Sequence, residues 1–406
     1  MRPPPSKAEV LVVGGGMAGL CAAISAQKAG ATVRILEASP RHMRGGNLRH
    51  ARNIRIPHDG ISSYSPGIYP VEEFARELTE VSRGDGDAAL IDMLASRAAD
   101  LGEWLADQGV VFQTKHIPFS RRTAFFLGGG KAATNALYAR IEALGIAVSY
   151  ETPWDIDTLC ELPSAAVVLC CGGDQADARQ RFINRGTPFN VGAPMEGLIR
   201  AGAAVAGVSG AVHLVAVDAR SPRHDGGIVT RIDGMQFGMM VDAQGRRFAD
   251  ETAIVGSRRY SIWGQTIAAL PVPSATLVLD AGGMAAMPRL AFEPIRAANL
   301  GEMAALIEVD FAALSCSARQ SGRVRKAPFF AYPVVSGLTF SCHGLRVDTR
   351  ARVKMGDGSV SKNLFAAGAI MAPAVLHIGY LSGTALTISA VFGRIAGEEA
   401  ARHALG

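Results

Sequence analysis

Short apolar runs alternate along the chain with glycine turns and longer stretches of helical periodicity. Residues 9–13 are largely apolar and run into a glycine cluster, Leu20 to Ala29 has helical character, and Thr32 to Leu36 is apolar again. Strand, helix and strand in that order predict a βαβ unit. A second strand-like run, Ala165 to Cys171, ends in Gly172-Gly173. A third, Leu364 to Ala367, ends in Gly368 and feeds a late helix over Gly383 to Ala400. Pieces of one parallel sheet are therefore expected at both ends of the chain. Between residues 208 and 330 the pattern changes to short strands and turns, including Val241 to Phe248, followed by Ala-, Met- and Leu-rich helical segments. The expected fold class is α/β: a Rossmann-like, doubly wound parallel sheet in residues 1–207 and 331–406, with an inserted α+β capping domain at 208–330. No repeat of fixed period is present, and Pro3 to Pro5 reads as a tail.

Gly14-x-Gly16-x-x-Gly19 falls between the first strand and the first helix. Glycines there let the backbone, with the amides of Met17 and Ala18, approach a diphosphate at the positive end of the helix. Glu37, followed by Ala38, ends the second strand, where an acid accepts hydrogen bonds from an adenosine ribose. Strand, glycines, helix, strand and acid together specify a dinucleotide site, whereas the glycines alone would equally fit a tight turn that binds nothing. A second glycine cluster, Arg44-Gly45-Gly46-Asn47, with Arg49, Arg52 and Arg55 behind it, comes shortly after Glu37. It lies where the ribityl chain and isoalloxazine of FAD would continue beyond the diphosphate, so FAD is expected rather than NAD. The same arginines could equally form a solvated basic loop. Gly172, Gly173 and Gly368, each at the end of an expected strand, complete this part of the candidate cofactor site.

Composition narrows the picture. With 49% hydrophobic residues among 406, the chain can bury a large core, and two domains are expected. A net charge of +5 and a pI near 9.0 raise the question of nucleic acid. Lys and Arg are scattered without a dense basic block, so nucleic acid is not expected and an anionic small substrate accounts for the excess. The six cysteines, Cys21, Cys160, Cys170, Cys171, Cys316 and Cys342, show no CxxC spacing, so reduced thiols are expected, with neither zinc nor an iron–sulfur cluster. The N-terminus passes into a strand without an apolar targeting segment. The longest apolar stretches, such as Leu364 to Leu376, are too short and too broken by Gly and Pro to span a bilayer. A cytoplasmic location is expected, peripheral to a membrane only through a partner.

Further segments carry a family likeness: Arg44-Gly-Gly-Asn-x-x-His-x-Arg-Asn-x-Arg55, Phe126-Leu-Gly-Gly-Gly-Lys131, Arg185-Gly-Thr-Pro-Phe-Asn190, Asp225-Gly-Gly-Ile-Val-Thr-Arg231, Gly245-x-Arg-Phe-x-Asp-Glu251, Arg259-Tyr-Ser-Ile-Trp-Gly264, and Gly379-Tyr-Leu-Ser-Gly383 leading into Val391-Phe-Gly-Arg-Ile-Ala-Gly397. Over most of its length the chain resembles the flavoprotein subunits of succinate dehydrogenase and fumarate reductase, in particular the tricarballylate dehydrogenase and CobZ flavoprotein branch. The resemblance implies that Gly383, Thr384, Ala385 and Leu386 open a helix whose N-terminus stabilises the reduced flavin. Some members attach FAD covalently through a histidine. The matching position resembles Asn47, which implies noncovalent FAD, with His50 close by. The usual strand end Ala-Ala-Gly-Glu appears as Ala366-Ala-Gly-Ala369, without the glutamate that commonly holds the ribityl chain. Relative to the family, a hairpin between Tyr150 and Ala165 and a helical stretch before Pro328 are shortened.

Oxidising or reducing a carbon–carbon bond beside a carboxylate needs a hydride path to the flavin, cations that clamp the carboxylates, and a group for the second proton. Arginine suits both cationic tasks. The resemblance implies that a cap arginine carries the proton. Arg259 is the candidate and Arg258 its rival, and either could instead be a surface charge. Asp250 and Glu251 could accept that proton or hold the arginine through a salt bridge. His213 resembles the family histidine that hydrogen-bonds a substrate carboxylate, although a histidine in an apolar strand is equally a satisfied core residue. Tyr260 is a further candidate. His343 and His377, expected on loops flanking the flavin face, and Tyr380, where fumarate reductases place an arginine, complete the candidate substrate-binding set. The expected function is FAD-dependent dehydrogenation or reduction of a bond next to carboxylates in a small, tricarballylate-like polycarboxylate; the resemblance implies an iron–sulfur partner as electron acceptor, with a soluble acceptor as the alternative. The alternatives are a CobZ-like role in cobalamin biosynthesis and a flavin-binding protein without catalysis.

Overall fold

The computed structural model describes residues 9–406 except 63, 115–119, 155–164, 228 and 256–258. Its contacts divide the chain into two compact units, one of Met1–Ala178, Thr187–Val212 and Phe340–Gly406, the other of Arg179–Gly186 and His213–Thr339. Much of the segment where the shortened hairpin was expected, and Cys160 with it, lies outside the described residues.

The site-bearing strands of the first unit are β1 (Val10–Val13), β2 (Val33–Leu36), β3 (Asn53–Arg55), β4 (Thr123–Phe125), β5 (Ala147–Ser149), β6 (Ala166–Leu169), β7 (Arg352–Lys354) and β8 (Val360–Ala366). The helices that matter here are α1 (Met17–Lys28), α2 (Val71–Ser82), α3 (Gly129–Ala143) and α4 (Thr384–Leu405). The sheet runs β7-β8-β6-β1-β2-β5. It is parallel throughout except for the β7 edge, which pairs antiparallel with β8. Every residue of β1 and β6 is buried, as expected of central parallel strands covered on both faces, and this is why they read as unbroken apolar runs. The β6 strand ends at Leu169, so Cys170 and Cys171 follow the strand rather than lie in it. From β1 the chain passes to β2 and then β5 on one side, and later to β6 and β8 on the other. The strand order therefore reverses at β1, and its carboxyl end is the switch point at which α/β sheets open a ligand crevice. Helices α1 and α4 meet backbone to backbone: a Cβ at Gly393 would come 2.5 Å from the Ala18 carbonyl oxygen, and one at Gly397 would come 2.1 Å from that of Ala22.

The second unit is built on an antiparallel sheet in the order Ile295–Ala297, Phe329–Leu345, Ser274–Leu279, Met239–Val241. Alternation decides its layers. Met240, Leu277 and Leu279 pack on one face with Trp263 and Ile267 of the helix Arg259–Ala268, while Met239, Val241 and Val278 pack on the other with Met303 and Leu314. Successive strand side chains point to opposite faces, so a sheet apolar at consecutive positions must be covered twice. No helix among the described residues is long and apolar enough to cross a membrane.

Candidate active site

In the first unit the glycine turn is set by sterics. Gly14 has φ +100°, and a Cβ there would lie 2.5 Å from the Cys170 carbonyl oxygen, while one at Gly19 would strike the Gly14 carbonyl oxygen at 1.8 Å. Gly16 differs from both. It is the N-cap of α1 with an ordinary φ of −82°, no side chain caps the helix, and a Cβ would find nothing closer than the Gly45 carbonyl oxygen at 3.7 Å. The glycine is therefore not demanded by the fold; it leaves room at the positive end of a helix, which is what a diphosphate requires. The residues present fit the dinucleotide. The side chains of Met17 and Ala18 are buried in the core, so these two residues can serve only through their amides.

Glu37 is buried, its two carboxylate oxygens accepting the Gly15 N–H at 2.8 Å and the Ser39 N–H at 2.9 Å. It braces the turn, and its remaining lone pairs can accept from a ribose. Ala38 is half-buried beside it. Gly45 and Gly46 both have positive φ, and a Cβ at Gly46 would approach the Gly16 Cα at 3.7 Å, so this second cluster sits against the α1 N-terminus as its sequence position implied. The Arg44 guanidinium lies 4.1 Å from the Tyr138 ring centroid, donates to the Tyr150 hydroxyl at 3.0 Å and sits 3.5 Å from Glu142, so two aromatic rings and a carboxylate hold it. Arg52 lies over the Phe125 ring, and the Asn47 side chain accepts the Thr187 N–H at 2.9 Å. Gly172 (φ +83°) and Gly368 (φ +87°) follow β6 and β8 with backbones that other residues adopt poorly, and Gly173 approaches the Ala369 carbonyl oxygen.

Helix α4 starts at Gly383, again with no side-chain cap and no acid in its first turn. Thr384 is fully buried with its hydroxyl unpartnered among the described residues, and Ala385 and Leu386 are half-buried. Arg55 anchors this end of the helix. Its N–H donates to the Gly383 carbonyl at 3.4 Å, its Nε donates to the Ser382 carbonyl at 3.1 Å, and its Nη1 reaches Glu77 of α2 at 2.6 Å and the Tyr69 hydroxyl at 2.8 Å. The early arginine loop and the late helix are thus one construction, although their residues are separated by most of the chain.

Also in the first unit, His343 corrects the expectation of a loop: it belongs to the strand Phe329–Leu345, and its N–H donates to the Ser341 hydroxyl. His377 follows the short helix Pro373–Leu376 with φ 51°, and its Nε2 lies 3.6 Å from Asp85. It therefore already faces a carboxylate of the protein. The Tyr380 ring lies 5.5 Å from that of Phe340.

The second unit holds the remaining candidates. Arg259, first residue of its helix, is gripped in fork fashion by Asp233, Nε to Oδ1 and Nη2 to Oδ2 at 2.8 Å each, with a third of its side chain exposed. Arg231 approaches the same carboxylate at 3.2 Å and lies 4.9 Å from the Tyr260 ring centroid. Asp233 was not anticipated from the sequence, where it is only an acid before a glycine turn. The expected bridge from Glu251 or Asp250 to this arginine is corrected: both carboxylates engage Arg247. Glu251 is fully buried and also accepts the Met240 N–H at 2.8 Å, while Asp250 is exposed and accepts from Thr252. A buried carboxylate must be paired, and Arg247, four residues back, is within reach. His213 is buried, with its Nδ1 3.2 Å from the Ser261 hydroxyl. Burial first, and the Arg185 cation second, push its pKa down to about 3, so it is neutral at ordinary pH. Arg185 itself donates to the Gly227 carbonyl and the Thr339 hydroxyl. Arg258 lies outside the described residues.

A doubly wound sheet whose switch point carries an uncapped, glycine-opened helix, interrupted in sequence by a second compact unit, defines a dinucleotide-binding oxidoreductase fold. The sequence profile of the FAD binding domain family matches residues 9–158 and 161–386. The chain belongs to the FAD binding domain family, and its cofactor is FAD. It is 23% identical over 458 aligned positions to a fumarate reductase (cytochrome) of Shewanella frigidimarina, covering 98% of this chain and 78% of that protein. A segment of 79 residues is 43% identical to NADH:acrylate oxidoreductase of Vibrio harveyi, spanning 19% of this chain but only 8% of that much longer protein. Among solved structures, the open conformation of a flavocytochrome c3 fumarate reductase superposes with a TM-score of 0.77 at 20% identity, covering 100% of this chain and 80% of that one. That likeness concerns the fold.

Proposed function

We propose that this FAD-dependent enzyme dehydrogenates or reduces a carbon–carbon bond next to the carboxylates of a small polycarboxylate, tricarballylate-like in size and charge. The observation that carries the proposal is the Arg231–Asp233–Arg259 cluster, in which an arginine is fixed in orientation by a carboxylate yet remains a third exposed. An arginine that served only as surface charge would gain little from such a grip.

Bound FAD supplies the two-electron chemistry, taking a hydride from carbon or returning one. The Gly16 end of α1 would hold its diphosphate, and the uncapped N-terminus of α4, anchored by Arg55, offers partial positive charge to an anionic ring. Arg259 is assigned the proton at the neighbouring carbon, with Asp233 keeping its fork in one orientation. His213, neutral and held through Nδ1, is assigned a hydrogen bond to a substrate carboxylate. Tyr260, His343 and Tyr380 are proposed to shape specificity. Electrons are proposed to pass to a separate iron–sulfur partner, and the enzyme is proposed to lie in the cytoplasm or, through that partner, at a membrane surface.

The decisive experiment follows the visible spectrum of the FAD-loaded protein anaerobically as tricarballylate or succinate is added, and follows reoxidation of the reduced flavin by the unsaturated counterparts. Bleaching by a saturated acid, or reoxidation by its unsaturated partner, abolished by Arg259→Ala, is expected. A spectrum indifferent to all of these acids in both directions would overturn the proposal.

A further inference from the structure

The middle residue of the Gly14-Gly15-Gly16 turn is buried and lacks a positive φ, so its backbone conformation does not call for glycine. Its surroundings do. A Cβ at Gly15 would lie 2.1 Å from the Tyr138 hydroxyl oxygen and 2.8 Å from Glu37 Oε2. Two side chains from different elements converge on this one residue. Glu37 accepts the Gly15 N–H at 2.8 Å, and the Tyr138 hydroxyl, reaching across from α3, donates to the Gly15 carbonyl at 2.9 Å. Tyr138 is itself fully buried, with the Arg44 guanidinium 4.1 Å from its ring centroid. Burial first, and the Glu37 carboxylate second, push its phenol pKa up, so the hydroxyl keeps its proton and serves as a donor.

The two bonds fix different peptide planes. Glu37 holds the plane between Gly14 and Gly15, and Tyr138 holds the one between Gly15 and Gly16. That second peptide is trans, and in a planar trans peptide the C=O and the following N–H point in opposite directions. Gripping the Gly15 carbonyl from α3 thus turns the Gly16 N–H away from α3, where it meets no acceptor among the described residues. A peptide between two glycines flips easily, because neither has a Cβ to oppose the rotation. Flipped, it would present a carbonyl oxygen where a diphosphate needs a donor.

We propose that Tyr138 is a positioning residue for FAD, its hydroxyl holding the Gly15–Gly16 peptide in the orientation in which the Gly16 N–H can donate to the cofactor diphosphate. The inference rests on FAD as the cofactor and stands apart from the choice of carboxylate substrate. Glu37 cannot take over the task, since it holds the preceding plane. Without the hydroxyl a smaller fraction of the apoprotein is ready to bind, and the apparent Kd rises in inverse proportion to that fraction.

Tyr138→Phe removes the hydroxyl and leaves the ring beside Arg44, and FAD fluorescence on mixing with the apoprotein reads both the affinity and the two rate constants. The variant is expected to bind FAD about tenfold more weakly, with association about tenfold slower and dissociation within about twofold of the parent, because the defect lies in the unliganded turn. A Kd within about twofold of the parent in the folded variant, or a loss carried entirely by faster dissociation, would overturn the proposal. Should Tyr138→Phe fail to fold, hydrogen exchange at the Gly16 amide of the unaltered protein decides. That amide is expected to exchange freely in the apoprotein and at least about tenfold more slowly once FAD is loaded. Equal exchange in the two forms would show that the Gly16 N–H does not face the cofactor, and would overturn the proposal.

Discussion

Asp233→Asn separates orientation from charge at the proposed proton donor. In the structure both fork nitrogens of Arg259 find an Asp233 oxygen at 2.8 Å, and Arg231 shares the same carboxylate. Asparagine keeps one acceptor and turns an N–H₂ toward the second nitrogen, so one bond is lost and two like charges face each other without an anion between them. A charge-assisted bond contributes about 1.5–3 kcal/mol when desolvated. With Arg259 a third exposed, the cost to folding should be nearer ~1 kcal/mol, a fall of only a few degrees in Tm. The cost to catalysis should be larger, because an arginine displaced by roughly 1 Å loses about 10²-fold in rate, some 2.7 kcal/mol of barrier. Steady-state reduction of an unsaturated dicarboxylate with a dye donor, run on the FAD-loaded variant, should show kcat down about a hundredfold, KM changed much less, and the flavin spectrum unaltered. A variant with kcat within about twofold of the parent would refute the positioning argument, and with it the proposed role of Arg259.

Four further outcomes follow from the structure. Gly16→Ala should fold normally, since φ is −82° and the added Cβ has space, yet bind FAD at least about tenfold more weakly by fluorescence titration. Gly14→Ala, with φ +100° and a 2.5 Å clash, should instead lose roughly 2–3 kcal/mol of apoprotein stability. Glu251→Gln should lower stability to urea by about 3 kcal/mol, because it leaves Arg247 facing a neutral buried partner, while a folded sample keeps its flavin; a change confined to the pH–rate profile would restore a catalytic role. Because the His213 pKa is pushed down to about 3, the folded state refuses a proton that the unfolded chain accepts below about pH 6.5. Stability should therefore fall as pH drops through this window, by up to ~1.4 kcal/mol per unit, and His213→Gln should flatten that acid slope in urea titrations; an unchanged slope would show that the imidazole is not held neutral.

The cofactor half of this protein was legible in the sequence because its constraints are local. Gly14, Gly16, Gly19 and Glu37 lie within one βαβ unit, where spacing alone fixes which backbone amides meet at the helix end. Runs such as Val10–Val13 and Ala166–Leu169 announced buried parallel strands by composition. The substrate half was harder, since its contacts join residues whose spacing carries no periodic signal. Arg259 was singled out, but its partner is Asp233, 26 positions earlier, whereas the nearer Glu251 is consumed by Arg247. His343 was expected on a loop flanking the flavin face, yet it continues a strand. The Arg55 tether to Ser382 and Gly383 links positions more than three hundred residues apart. By itself the sequence determined a βαβ unit with a dinucleotide site expected at the end of β1, because strand, glycine turn, helix, strand and acid follow one another within that one unit. Only the tertiary structure decided which charges pair, because a buried ion takes whichever counter-ion the packing brings within hydrogen-bond distance, and that choice is made by the whole fold.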